Sequence, residues 1–494
     1  MSGFGILKQP KPFYLIFFLE FWERFGYYGV QAIVTLYFVK HLGYSEQQSF
    51  AVFGSFFALV FGLAMVGGWL GDKVIGTKRT IILGMLTLLS GYTFLTIANK
   101  ETIFIALAMI VAGNGLFKAN PSSLLSKCYK QDDARLDGAF TMYYMAINMG
   151  SFVSMSITPI IASYYGWNQA FSLSAIGLAC ALLNYWVQRR SLQHVKSEAG
   201  DQDLNIKFLI LTIIGVVATV FLISFLLKHA TITNVAVAVI SLGGIGLFLK
   251  NAFQQKGKAR ARMLVALVLI VQGIIFFVLY GQMPTSLTFF AVHNVNNHLL
   301  GFNINPASYQ VLNPLIILLA SPLLAVVYTK IKMSHPTKFA LGMTFCAGAF
   351  LLMYFVRFAA TNNLVSPAWM VGTYLLQSVG ELLVSALGVA MVAQLCPRNM
   401  AGFAMGVWFL TSMIAGPISA KVASLSSPAS GVVASAHSSL LTYSNVFTNI
   451  GLFTCAVSAL MWVAVPALNR LIRDENVEDE AVLSEAELGL EEAI

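Results

Sequence analysis

Apolar runs of membrane-spanning length recur along the whole of this 494-residue chain, at about 13–39, 49–71, 80–98, 102–126, 138–164, 168–188, 206–227, 232–250, 262–292, 309–329, 337–360, 366–395, 400–424 and 440–467. An α-helix needs about 20 apolar residues to cross a bilayer. Lipid offers the backbone no hydrogen bonds, so runs of this length fold as helices that satisfy their own N–H and C=O groups. A chain that is 57% hydrophobic and only 10% charged is not a soluble domain. The expected fold is an all-α membrane protein with fourteen transmembrane helices. An even number leaves both chain ends on one side.

Charge indicates which side. The formal net charge of +9 conceals a division. Asp474 to Ile494 hold nine of the 21 acids and no Lys or Arg, which leaves the body with 12 acids against 30 Lys and Arg. Lys8, Lys11, Lys73, Lys78, Arg79, Lys127, Lys130, Arg189, Arg190, Lys256, Lys258, Arg260, Lys330, Lys332, Arg398 and Arg470 all fall in termini or even-numbered connections. Lys40, Lys100 and Lys228 are nearly the whole opposing set. The positive-inside rule then puts both termini in the cytoplasm. The excess faces anionic membrane lipid; no cluster of cations accompanies a nucleic-acid fold signal, and no nucleic-acid partner is expected. Cys128, Cys180, Cys346, Cys396 and Cys455 are scattered, without CxxC or Cys/His metal spacing, so neither a metal nor another cofactor is expected. His293 and His298 read as solvated residues of an external loop. The first apolar run is too long for a cleaved leader and carries charges, so it is expected to remain in the protein.

Those charges, Glu20, Glu23 and Arg24, sit within a spanning helix, where each costs roughly 2.5–3.5 kcal/mol on insertion scales. Such residues face an interior and find partners. Helical spacing places Glu20, Arg24, Tyr27 and Gln31 on one stripe with Glu23 beside it. Glu20 and Arg24, at i,i+4, suit an ion pair. Two acids beside one guanidinium cannot both be cheaply ionised in a dry site, which is the chemistry of a proton carrier. A static clamp between helices is the competing reading.

The polar connections 188–207 and 254–262 flank two helices without an intramembrane charge. The expected organisation is therefore an N-terminal six-helix bundle (1–190), linkers with an inserted hairpin (191–261), a C-terminal six-helix bundle (262–473) and an acidic cytoplasmic tail (474–494). A weak echo between Gly76-Thr77-Lys78-Arg79 and Pro336-Thr337-Lys338 fits duplicated halves. The hairpin reads foremost as a lipid-facing spacer.

Three stretches carry a resemblance. Gly68-Trp69-Leu70-Gly71-Asp72-Lys73-Val74-Ile75-Gly76-Thr77-Lys78-Arg79 resembles the loop signature of the major facilitator superfamily. Its glycines permit close helix approach, and Asp72 can meet a helix N-terminus or a basic partner across the bundle. Gly68, Asp72, Lys73, Gly76 and Arg79 are expected to act as a conformational latch. Glu20-Phe21-Trp22-Glu23-Arg24-Phe25-Gly26-Tyr27-Tyr28 is similar to the E-x-x-E-R-F-x-Y-Y signature of the proton-dependent oligopeptide transporter family. Phe140 to Ser151 and Gly113-Asn114-Gly115-Leu116-Phe117-Lys118-Ala119-Asn120-Pro121 resemble that family's fifth- and fourth-helix motifs, with Ala119 where proline is common. The resemblance runs along nearly the whole chain, is closest to enteric-bacterial members, and does not include the acidic tail.

The resemblance implies a major facilitator fold and a symporter of the bacterial inner membrane. It would import dipeptides and tripeptides, with peptide-like drugs as further substrates and the proton as coupling ion. It implies proton coupling by Glu20, Glu23, Arg24 and Lys118. Substrate contacts would come from Tyr27, Tyr28, Gln31, Lys118, Asn148, Phe289, Asn313, Glu381, Ser385 and Trp408, with Phe409 as a further aromatic wall. Glu381, the only carboxylate deep in the second half, would bind the peptide ammonium. An acid in one half and Lys118 with Arg24 in the other suit a zwitterion. Two departures stand out: Gly281, in Tyr280-Gly281-Gln282, replaces a proton-linked acid of many members, and Gln31 stands where some have arginine. Gly281 and Pro284 would let the ninth span bend. A monomer without enzymatic activity is expected. A carrier of another solute, such as nitrate or a drug, and a peptide sensor using the acidic tail are the alternatives.

Overall fold

The computed structural model describes residues 9–130, 133, 135–195, 205–299, 301–397, 400–428 and 435–472. The acidic tail, Lys8, Lys196 and Arg398 lie outside the described residues. Among the described residues the chain forms fourteen long helical segments where the apolar runs place them, twelve of them long and apolar enough to cross a membrane. The first six are α1 (Lys11–Lys40), α2 (Glu46–Trp69), α3 (Thr77–Leu95), α4 with α5 (Ile103–Phe117, Asn120–Ser126), α6 (Leu136–Tyr164) and α7 (Trp167–Gln188). An inserted pair follows, α8 (Ile206–Lys228) and α9 (Ala230–Gln254). The last six are α10 with α11 (Gly257–Tyr280, Thr288–Asn294), α12 (Leu312–Lys330), α13 with α14 (His335–Leu352, Val356–Ala359), α15 (Ala368–Leu395), α16 (Ala401–Ser424) and α17 (Ala436–Ile472). A two-stranded hairpin, β1 (His298–Leu299) with β2 (Phe302–Asn303), turns at Gly301.

Local chemistry sets the helix ends. Ser45 and Gln48 form a reciprocal capping box that starts α2, satisfying two otherwise orphaned donors. Asn205 caps α8 and Ser334 caps α13. Two spans are broken inside the bundle. The α4 helix stops at Phe117, and the chain resumes as α5 with Pro121 in its first turn. The ninth span stops at Tyr280 and passes through a wide turn, Met283–Leu287, containing Pro284. Proline lacks the N–H that an α-helix needs at that point, so the bend expected at Gly281 and Pro284 is a break.

The helices pack as two six-helix bundles. In the N bundle α1 lies against α6 and α7, and α3 against α4; in the C bundle α13 lies against α15 and α17, and α10 against α16. The main contact between bundles is α2 along α16. There a Cβ on Gly54 would come within 2.5 Å of the Gly416 carbonyl and 2.7 Å of the Ala420 Cβ. Only a residue without a side chain allows that approach. The inserted pair is more than a spacer between bundles in sequence: α8 lies on α4 and α2, and α9 on α16 and α10.

Both described ends lie on one face, called here the terminal face. The Tyr129 hydroxyl, just beyond α5, donates to Gln9 (2.8 Å), and Arg262 reaches the Ile472 carbonyl. On the opposite, distal face the bundles are tied together. Thr35 donates to the Pro284 carbonyl (2.8 Å), Gln310 to the Ala32 carbonyl (3.0 Å), and Asn305 to the Pro159 carbonyl (2.9 Å) and to Ser163 (2.6 Å). His293 joins Glu46 at 2.6 Å, with Tyr443 on the second Glu46 oxygen at 3.4 Å. His293 is therefore an inter-bundle strut, not a solvated loop residue. Its partner is distant in sequence, so the apparent loop position concealed it.

Candidate functional site

The charged turn of α1 is buried where α6 crosses it. A Cβ on Gly150 would strike the Phe21 carbonyl and lie 3.1 Å from the Phe25 nitrogen, so glycine lets α6 ride directly over that turn. The crossing brings the Tyr143 hydroxyl onto Glu20, donating to Oε2 at 2.6 Å. Arg24 Nε stands 3.0 Å from Glu20 Oε1, and Arg24 also pairs with Glu23. One guanidinium thus faces two carboxylates, all three nearly sealed from solvent. The expected i,i+4 pair is present, and the third charge on the same cation comes from Glu23.

Lys118 sits at the α4–α5 break, within electrostatic range of Glu20, Glu23 and Arg24. Its Nζ lies 3.5 Å above the centre of the Phe61 ring. A cation over an aromatic face is stabilised by the ring quadrupole, so Lys118 is held beside the acids without a direct ion pair among the described contacts. Tyr27 stacks on Phe56, with the Arg24 guanidinium 5.7 Å from its own ring centre.

Glu381 occupies the facing part of the C bundle. Asn313 Nδ2 donates to Glu381 Oε2 (2.7 Å) and to Ser378 Oγ (3.0 Å). The carboxylate lies within electrostatic range of Tyr28 and Tyr144 from the N bundle and of Tyr280 from α10. Tyr280 in turn engages Tyr28 and Gln31. Asn148 donates to the Tyr144 carbonyl one turn back (3.0 Å) and lies beside the Tyr144 hydroxyl. Ser385 follows Glu381 by one turn of α15 and is half-buried. Tyr28, Gln31, Asn148, Asn313 and Glu381 are thereby gathered between the bundles, with Ser385 one turn further along α15.

Phe289 and Trp408 are placed elsewhere. Phe289 packs edge-on against Phe50, 5.1 Å between ring centres, at the distal closure. Trp408 is buried inside the C bundle against Gly273, Gly388, Phe277 and Phe339. Gly281 has a physical account: a Cβ there would strike Ser419 Oγ. Gln282 occupies the same locus, donating to Ser419 Oγ (3.1 Å) and accepting from Ser286 (2.7 Å). In the loop signature Asp72 pairs with Lys127 at 3.2 Å, and Lys127 also reaches Thr77. Gly76 adopts φ +88 ahead of α3, Gly68 faces the Ala119 Cβ, and Lys73 and Arg79 line a crevice beside α8.

Sequence reasoning missed Tyr143, Tyr280, Ser378 and Lys127. Tyr143 lies in the motif around Asn148, but its hydroxyl meets Glu20 only because of the crossing at Gly150. Tyr280 stands beside Gly281, whose departure from the family pattern is the more conspicuous signal in the sequence.

Comparison with known proteins gives the same answer from several directions. The POT family profile matches residues 78–439. The dipeptide and tripeptide permease A of Yersinia pestis is 49% identical over 469 residues, 94% of each chain. That of Escherichia coli (strain K12) is 48% identical over 473 residues, 95% of this chain and 94% of that protein. The crystal structure of tetrameric PepTSo2 superposes with a TM-score of 0.84 at 34% identity, covering 93% of this chain and 99% of that one. The chain belongs to the POT family of the major facilitator superfamily: a multi-pass transporter of the bacterial inner membrane, and not an enzyme.

Proposed function

We propose that this protein is a proton-coupled symporter that imports dipeptides and tripeptides by alternating access. The observation that carries the reading is the opposition of charges across one interior. Glu381 stands on the C bundle, and Arg24 with Lys118 stands on the N bundle beside two buried acids. A zwitterion with its ends a few ångströms apart fits between them. The permease names of the relatives support the same substrate class.

In this reading Glu381 receives the peptide ammonium, exchanging its Asn313 bond for it. Asn148, Tyr28 and the N-bundle cations receive the carboxylate and the backbone. Glu20 and Glu23 share one guanidinium, so a proton arriving at either releases Arg24 toward the substrate. Lys118 adjusts the charge of the group. The terminal face is cytoplasmic, with the distal closure on the periplasmic side. Residues 191–261 join two bundles, 1–190 and 262–473, that rock about the α2–α16 contact. All the groups named come from one chain, so the transporting unit is the monomer, whatever the assembly.

The test is uptake of a labelled dipeptide into proteoliposomes under an inward proton gradient. Accumulation that a protonophore collapses, and that tripeptides but not free amino acids compete away, is expected. Binding without accumulation, or indifference to the protonophore, would reject the coupling.

A further inference from the structure

Given proton-coupled import, on which the inference rests, we propose that Tyr92 and Asn114 are positioning residues of the coupling site and make Glu23, not Glu20, the acid that keeps the proton. Close helix crossings bring them there. A Cβ on Gly91 would lie 3.0 Å from the Ile110 nitrogen, and one on Gly113 would lie 2.8 Å from the Leu88 nitrogen, so α3 runs directly along α4. A Cβ on Gly26 would lie 3.0 Å from Cε2 and 3.3 Å from Cζ of Tyr92. The hydroxyl end of Tyr92 is thus set against α1 at Gly26, on the same helix face as Glu23 one turn earlier. Its hydroxyl lies beside Asn114 and within electrostatic range of Glu23.

The oxygens gathered there compete for too few hydrogens. Glu23 Oε1, the Tyr92 hydroxyl and Asn114 Oδ1 are all buried, and none has a hydrogen-bond partner among the described residues. The Asn114 amide is fixed in orientation, because its Nδ2 donates to the Ile110 carbonyl (3.2 Å) and a carbonyl can only accept. With Glu23 ionised, the single hydrogen of Tyr92 serves two acceptors, and one buried oxygen stays unpaired. With Glu23 protonated, the acid donates to Tyr92 and Tyr92 donates to Asn114, so both gaps close. No proton passes to the phenol; its O–H turns from Glu23 to Asn114. Glu20 has the opposite surroundings. Tyr143 donates to it and Arg24 Nε stands 3.0 Å away, and both favour the carboxylate. The other charged or titratable groups facing Glu23 are Arg24, Tyr27 and Tyr28 of its own helix and Lys118 at the α4–α5 break. From α7, which also packs on α1, comes Ser174, donating to the Gly26 carbonyl (2.9 Å), and α2 adds Phe56 against Tyr27.

The test is an infrared titration of the full chain in lipid films, following the carbonyl band of the protonated carboxylic acid that Glu23→Gln removes. Its frequency should rise in Tyr92→Phe, where the acid O–H loses its acceptor, and stay unchanged in Tyr143→Phe. The reverse pattern would assign the proton to Glu20 and overturn the proposal. Asn114→Ala frees the Tyr92 hydrogen for the carboxylate, so the titration midpoint should fall by about one pH unit, the worth of one buried hydrogen bond. In the Tyr92→Phe background the same substitution should change nothing further, because the link is gone. An unmoved midpoint, or a shift that persists without the Tyr92 hydroxyl, would overturn the proposal. Tyr92→Phe keeps the buried ring, so the frequency test stands even where Asn114→Ala does not fold. Dipeptide uptake separates this from the coupling itself. Shifted titrations without proton-driven uptake by the unaltered chain would reject symport and leave Tyr92 and Asn114 their hold on Glu23; proton-driven uptake with unmoved titrations would reject that hold alone.

Discussion

Tyr143 shows how one hydroxyl can bear on coupling. Its bond to Glu20 crosses between α6 and α1 in a buried setting, where a hydrogen bond to a charged group is worth about 1.5–3 kcal/mol. Tyr143→Phe keeps the ring and removes the donor. Proton-driven dipeptide accumulation should fall by roughly tenfold, with exchange of peptide at equal pH little changed; initial rates in proteoliposomes measure both. Glu381→Gln addresses the other end of the substrate. Affinity for a dipeptide should drop roughly tenfold or more, while an N-acetylated dipeptide, which has no ammonium, should bind the variant as it binds the unaltered chain. Competition binding distinguishes the two. The Glu20–Arg24 pair was legible because i,i+4 spacing is a property of one helix. The Tyr143 bond was not, because it depends on how closely two helices cross.

Among the elements, the α2–α16 contact and the Glu46–His293 strut set how the bundles meet. Gly54→Leu places a branched side chain against the Gly416 carbonyl, and overpacking of this kind costs about 1–3 kcal/mol. A lower melting temperature in detergent, with wider spin-label distances between the distal ends of α2 and α16, is the expected result. His293→Gln shortens the strut without touching the cavity. Labelling of a cavity cysteine by a membrane-impermeant maleimide from the distal side should rise by about fivefold, as loss of roughly 1 kcal/mol of closure would produce. Hydropathy located the apolar runs that fold as long helices, because lipid enforces helix over every long apolar run. Hydropathy alone does not mark the interruption at Lys118, whereas Gly281 and Pro284 announced the one at Met283–Leu287, because proline removes a helical donor.

For the whole molecule, alternating access requires the distal closure to open in every cycle. Ser163 and Asn305 face each other across it. A Ser163→Cys, Asn305→Cys pair, oxidised, should abolish uptake, and a reductant should restore it; uptake that persists with the cross-link formed would rule out rocking at this closure. The two-bundle plan was readable from the span count and from the polar connections that flank the inserted pair. The closure was not, since its partners lie more than 100 residues apart, from Asn305–Ser163 to Tyr443–Glu46. Three of its bonds end on main-chain oxygens, at Ala32, Pro159 and Pro284. No substitution deletes a carbonyl, so evolution can retune these contacts only through the donors Gln310, Asn305 and Thr35. How long the transporter dwells closed to the outside can therefore drift by single-residue steps, while the geometry of closure is inherited with the backbone.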